Sequence, residues 1–247
     1  MHPAAAGAVS ALRVFHARKR DRQAIAKKTL ALLWFVGPIF VWTFHVLTIY
    51  KMCMSPTRRL SPEDKEFFRD LAEAAATNPF SEVYVELQRK IAGGGSAARP
   101  GELLGPVVER VTDKVRSLEA AGFANVNLFA PDDRELLRRA FLFDVYHHFL
   151  SDFERLMGNQ VAAGERSLPV PFAGEALRLL DRRGFARAEA LRCFAILYQV
   201  CRAFFFIDSA LVGRSEPMKQ LRRHLWNNVF TNDIRMYERF LWNRMED

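Results

Sequence analysis

What the chain lacks narrows its chemistry first. Its 247 residues contain three cysteines, Cys53, Cys193 and Cys201. They fit neither a Cys-x-x-Cys nor a Cys/His metal spacing, and an odd total argues against a disulfide framework. There is no Gly-x-x-x-x-Gly-Lys-Ser/Thr phosphate loop, and the triple glycine at 93–95 does not join a strand to a helix. No Gly-x-Ser-x-Gly nucleophile elbow is present. Alternating apolar and polar residues do not run far enough to predict strands, and no segment repeats. Phosphate-loop nucleotide chemistry, serine-hydrolase chemistry and zinc-ribbon architecture are thereby set aside.

Apolar and aromatic residues are plentiful, at 50% and 12% of the chain, enough to bury a core of domain size. The net charge of +8 invites a nucleic-acid partner until its location is checked. Residues 1–51 hold eight Lys or Arg against a single acid, Asp21, whereas residues 52–247 hold 28 bases and 27 acids. The basic surplus therefore belongs to the N-terminal fifth. The body interleaves its charges as solvated helix faces do, so direct nucleic-acid binding is not expected of it.

Within that N-terminal segment, Leu30–Tyr50 reads LALLWFVGPIFVWTFHVLTIY, long enough to cross a bilayer. Trp34, Trp42 and Tyr50 are interface-favouring aromatics, Lys27 and Lys28 close one end, and no small-residue cleavage site follows. Two readings stand. Residues 1–51 form a single-pass inner-membrane signal anchor, or translation starts at Met52 or Met54 and the body, 52–247, is cytoplasmic. The positive-inside rule would leave an anchored body outside, a poor match to its cysteines.

The body reads as successive helices, giving an all-α, multi-helix bundle with a separate, transmembrane-like N-terminal hydrophobic helix. Ser61-Pro62-Glu63-Asp64 combines a cap, a first-turn proline and acids at the positive end of the helix dipole, opening a helix over about 62–76. A second helix follows Ser81 to about Ile91. The glycine-rich stretch 93–101 is a loop, and helix resumes over about 106–121. Leu137, Phe141, Val145, Phe149 and Phe153 recur every four residues and predict one helix over 132–157 with a buried stripe. A short helix ends at Gly184. The segment 186–212, with Cys193, Cys201 and Phe204–Phe206, reads as a central helix enclosed by the others, and Arg202 makes it a poor membrane span. A last helical region covers 216–246, jointed at Thr231-Asn232-Asp233.

Chemistry-bearing residues are sparse. Asp144, His148 and Asp152 share a face at four-residue spacing, as in two-helix metal sites. No matching Glu-x-x-His lies on a second helix, so they read as polar residues bordering the Phe stripe. Cys193 and Cys201 read as small buried hydrophobes. The chain is expected to be neither an enzyme nor the holder of a metal or cofactor.

The final region, Leu225-Trp226-Asn227-Asn228-Val229-Phe230-Thr231-Asn232-Asp233 through Tyr237 to Arg244-Met245-Glu246-Asp247, resembles the segment that leads into the ATPase domain of sigma-54-dependent bacterial activators. Leu60–Asp64 with Phe67-Phe68, and Asn78-Pro79-Phe80-Ser81-Glu82, resemble the start of the same N-terminal domain. The resemblance covers about 55–247. It implies a signal-sensing regulatory domain that controls self-association of an AAA+ ATPase, found downstream or in trans. Because the chain stops about where the first ATPase strand would begin, ATP hydrolysis, sigma-factor contact and DNA binding are not carried over. Trp226, Phe230, Tyr237 and Leu241 are the expected packing anchors of the output helix. The competing reading is a membrane-anchored helical interaction module using Leu30–Tyr50.

Overall fold

The computed structural model describes residues 57–94 and 99–244. Leu30–Tyr50, Cys53 and the candidate starts Met52 and Met54 lie outside the described residues. Eight helices of ten or more residues dominate the described part, which contains no strand beyond one isolated bridge between Arg58 and Phe129. The all-α expectation holds.

Helix α1 (Pro62–Ala76) starts as its sequence dictates: the Ser61 hydroxyl accepts the Asp64 amide at 3.0 Å. Phe67, Phe68, Leu71 and Ala74 form its buried stripe. The same Ser-cap logic opens α2 (Glu82–Ile91), where Ser81 accepts the Tyr84 amide at 3.2 Å. Helix α3 (Leu104–Ala120) buries Val107, Val111 and Val115 at four-residue spacing. Helix α4 (Pro131–His148) buries Leu137, Phe141 and Val145 and packs against both α1 and α3.

The single helix expected over 132–157 is two. Phe149, at φ −102° and ψ 10°, separates α4 from α5 (Leu150–Ala163). The stripe survives the bend because Phe149 stays buried, its ring 5.7 Å from that of Phe172, which also meets Phe153 at 4.9 Å. A tertiary aromatic stack thus redirects a chain in which no Gly or Pro marks a break.

Helix α6 (Ala173–Arg182) ends at Gly184, whose φ of +90° suits glycine, and the Phe185 amide closes back on the Leu180 carbonyl at 3.1 Å. A Cβ at Gly184 would come within 2.8 Å of the Asn127 side-chain nitrogen, so shape as well as backbone demands the glycine. Here Arg183, 4% exposed, turns inward. It donates to the Phe141 carbonyl at 3.1 Å and pairs with Asp144 at 2.6 Å and Glu119 at 3.1 Å, tying the α6 terminus to α3 and α4.

Helix α7 (Arg187–Ala210) departs from its expected place. It packs on α5, α6 and α8 (Glu216–Val229), but only 28% of its most apolar window is buried, and Leu191, Phe204 and Phe206 are 48%, 39% and 45% exposed. The central helix is α4; α7 is a flank. By length and composition α7 is apolar enough to cross a membrane, despite the Arg202 that marked it as a poor span. Beyond α8 the chain turns at Thr231 and Asn232 into a short helix, α9 (Ile234–Met236), and a π-helical turn, Tyr237–Leu241.

Candidate functional site

Two hydrophobic clusters divide the described residues. The larger unites α1 to α6 with Cys193 and Cys201 of α7. The smaller consists of Ile207, Trp226, Phe230, Ile234 and Tyr237, flanked by Ala76, Phe80, Val200, Ala203, Leu241 and Trp242 among others. Four of its five buried residues come from the C-terminal segment. Trp226 and Phe230 stand one helical turn apart with ring centroids at 4.5 Å, and Tyr237 meets Phe230 edge-on at 5.1 Å. Of the four expected anchors, Trp226, Phe230 and Tyr237 are thereby brought together, and Leu241 packs partly buried at the edge.

The segment reaches that position because α8 is restarted and stopped by its own residues. Pro217 occupies its first turn. At its C-terminus Thr231 holds φ +55°, and the Asn232 amide bonds to the Asn227 carbonyl at 2.8 Å, a helix stop that ordinarily uses glycine. Asp233 then caps the next turn by accepting the Arg235 amide at 2.9 Å.

Polar contacts fix the segment at two places. The Asn78 side-chain amide, in the turn between α1 and α2, donates to the Arg223 carbonyl at 3.0 Å and to the Asn227 side-chain oxygen at 2.7 Å. Its own oxygen accepts the Phe80 amide at 2.9 Å, which orients the group. Phe80 stacks on Phe204 at 5.4 Å and meets Trp226 edge-on at 6.1 Å. At the far end, Arg139 of α4 pairs with Glu238 at 2.7 Å. Burial is the largest influence and opposes the Arg139 charge, but the hydrogen bond and charge of Glu238, joined by Glu135, together raise the guanidinium pKa.

The Asn78–Phe80 turn and the end of α8 from Leu225 onward belong to stretches that carry the sequence resemblance, and Asn78 and Phe80 lie against Asn227 and Trp226. Sequence reasoning assigned no role to Asn78, Arg139 or Glu238 and read Phe204 as core, whereas it is 39% exposed. The one available signal was Asn-Pro-Phe, a turn that ends in an aromatic residue; the Arg139–Glu238 pair spans 99 residues and leaves no local pattern.

The other candidates disperse. Asp144 serves Arg183 and Thr112, Asp152 pairs with Arg155, and His148 is exposed beside the Phe149 ring. Among the described residues no group of three or more His, Cys, Asp or Glu side chains comes together as a metal site. Cys193 and Cys201 are buried and free, and burial raises both thiols, Cys201 to about 11, so they are held protonated at neutral pH. Compared with protein-family models, curated proteins and solved structures, the chain matches none.

Proposed function

We propose that residues 57–244 act as a signal-sensing regulatory module of a sigma-54-dependent transcription system, passing a change in the helical body through its C-terminal segment to an AAA+ ATPase in cis or in trans. One observation carries this reading. The segment resembling the ATPase lead-in, Leu225–Asp233, is seated on Asn78 and Phe80, so a shift of the α1–α2 turn moves it directly. The ATPase supplies the nucleotide chemistry, and this chain contributes the contact that permits or blocks subunit assembly.

The test begins with the tagged chain in its native host, isolated with any AAA+ ATPase bound to it. ATP hydrolysis by that ATPase is then measured with the intact chain and with a version lacking 231–247. A several-fold change that requires 231–247 is expected. Hydrolysis indifferent to the chain, or equal with both versions, sinks the reading.

A second reading, a membrane-associated helical interaction module, is supported by the length and apolar composition of α7 and by its exposed Leu191, Phe204 and Phe206. Residues 57–244 floating with lipid vesicles in a density gradient would favour it; recovery with the soluble fraction would favour the regulatory module.

A further inference from the structure

We infer that Glu216–Arg244 is a latch that leaves the body as a unit, with Asn78 and Arg139 as its two clasps, while the core built on α4 stays folded. Three observations point to this. The segment belongs to a hydrophobic cluster distinct from the main one, and within it Trp226 packs on Phe230 and Phe230 on Tyr237. From the body that cluster takes one buried residue, Ile207, and otherwise partly buried side chains such as Phe80 and Val200.

Two polar ties between the segment and the body are made by named side chains of the described residues. Asn78 holds α8 through Arg223 and Asn227, and Arg139 holds the π-helical turn through Glu238. Both clasps are built into the body independently of the latch: Asn78 is oriented by Phe80 and Ser81, and Arg139 also faces Glu135 at 3.4 Å. Their geometry persists when the segment departs.

Turn residues mark the ends of the moving part. On the near side Gly213 has φ +129°, and Arg222 of α8 bonds to the carbonyls of Leu211 and Gly213, so α8 carries its own connection to α7. Inside the segment, Thr231 and Asn232 both occupy the left-handed region, which a threonine resists. Local opening in cooperative blocks is drawn from parts of a fold with such sparse anchoring.

This inference deepens the regulatory reading, on which it rests only in regarding the released segment as the output. Its test needs no ATPase, so the two stand or fall separately. Amide hydrogen exchange of the whole chain is followed by mass spectrometry for wild type, Asn78→Ala, Glu238→Gln and the exchanged pair Arg139→Glu with Glu238→Arg. Either single variant should speed exchange across 216–241 by roughly fivefold to tenfold, because Asn78→Ala removes both hydrogen bonds that its amide donates and Glu238→Gln removes the charge from the Arg139 contact, with amides at 107–115 and 137–145 unchanged. The exchanged pair should return 216–241 only part of the way to the wild-type rate, because the carboxylate placed at position 139 then faces Glu135. Wild-type exchange of 216–241 at the same rate as 137–145 would overturn the latch. So would single variants that speed both regions equally, or variants without effect on 216–241. Should Asn78→Ala fail to fold, Glu238→Gln, at a half-buried position, decides alone.

Discussion

Arg183 shows how much of this fold rests on single polar side chains. Its guanidinium sits against the Phe141 ring at 5.0 Å and gathers two carboxylates and a carbonyl in a place where water barely reaches. Taking the cation away leaves Asp144 desolvated with only the Thr112 hydroxyl, and breaking such a pair from one side costs about 3–5 kcal/mol. Arg183→Met should therefore lower the denaturant midpoint strongly, and adding Asp144→Asn should recover part of the loss. An equal loss in single and double variants would show that packing, not charge, governs the site. Thr231 predicts the opposite sign. A β-branched residue at φ +55° costs about 1–2 kcal/mol, of which the greater flexibility of an unfolded glycine takes back part. Thr231→Gly should stabilise the chain by about 1 kcal/mol, read as a higher melting temperature.

At the scale of elements, the C-terminal segment is the informative case. Deleting 231–247 removes Ile234, Tyr237 and Glu238 but leaves the main hydrophobic cluster, which includes none of these residues. Helical circular dichroism should fall only by the share of the lost turns, while Trp226 keeps Phe80 and Phe230 beside its ring. Complete loss of helix would show that the two clusters fold as one. Helix starts and stops were legible in the sequence because they are local: Ser61 and Ser81 cap through their own hydroxyls, and Gly184 and the Thr231-Asn232-Asp233 joint lie where their residue types placed them. The bend at Phe149 was not, since the four-residue periodicity passes through it unbroken and the cause, Phe172, lies 23 positions away. The same limit applies to α7. Its uninterrupted apolarity reads as enclosure, and composition says nothing of which neighbours arrive. In the candidate site, Trp226, Phe230 and Tyr237 were expected as packing anchors of an output helix from the resemblance, whereas Asn78–Asn227 and Arg139–Glu238 are pairings across 149 and 99 residues.

For the whole molecule, pH is the variable that separates burial from pairing. His147 lies near the end of α4 between the rings of Phe143, at 4.3 Å, and Tyr146, at 5.0 Å. Desolvation there lowers its pKa from 6.5 to about 4, the Asp144 carboxylate offsetting only part of the effect. In the unfolded chain the imidazole takes up its proton near pH 6.5, while the folded chain refuses it until about pH 4. Between those values the unfolded state binds more protons, so stability declines as pH falls through the window. The full loss approaches about 3 kcal/mol, an upper figure because the ring is only partly shielded from solvent. The partly buried ion pairs act elsewhere. Asp64 and Asp133 are desolvated but held by Lys114 and Lys65, which together with their hydrogen bonds lower both carboxyl pKa values below 3.8. Their contribution is present above about pH 4 and is lost only further down. Two acid limbs are therefore expected in a plot of unfolding free energy against pH. His147→Phe, which keeps an aromatic ring between Phe143 and Tyr146, should flatten the limb between pH 6.5 and 4 and leave the lower one in place. A slope unchanged by that substitution would mean that the imidazole is solvated in the folded state, and that the α4 terminus is more open than its ring contacts imply.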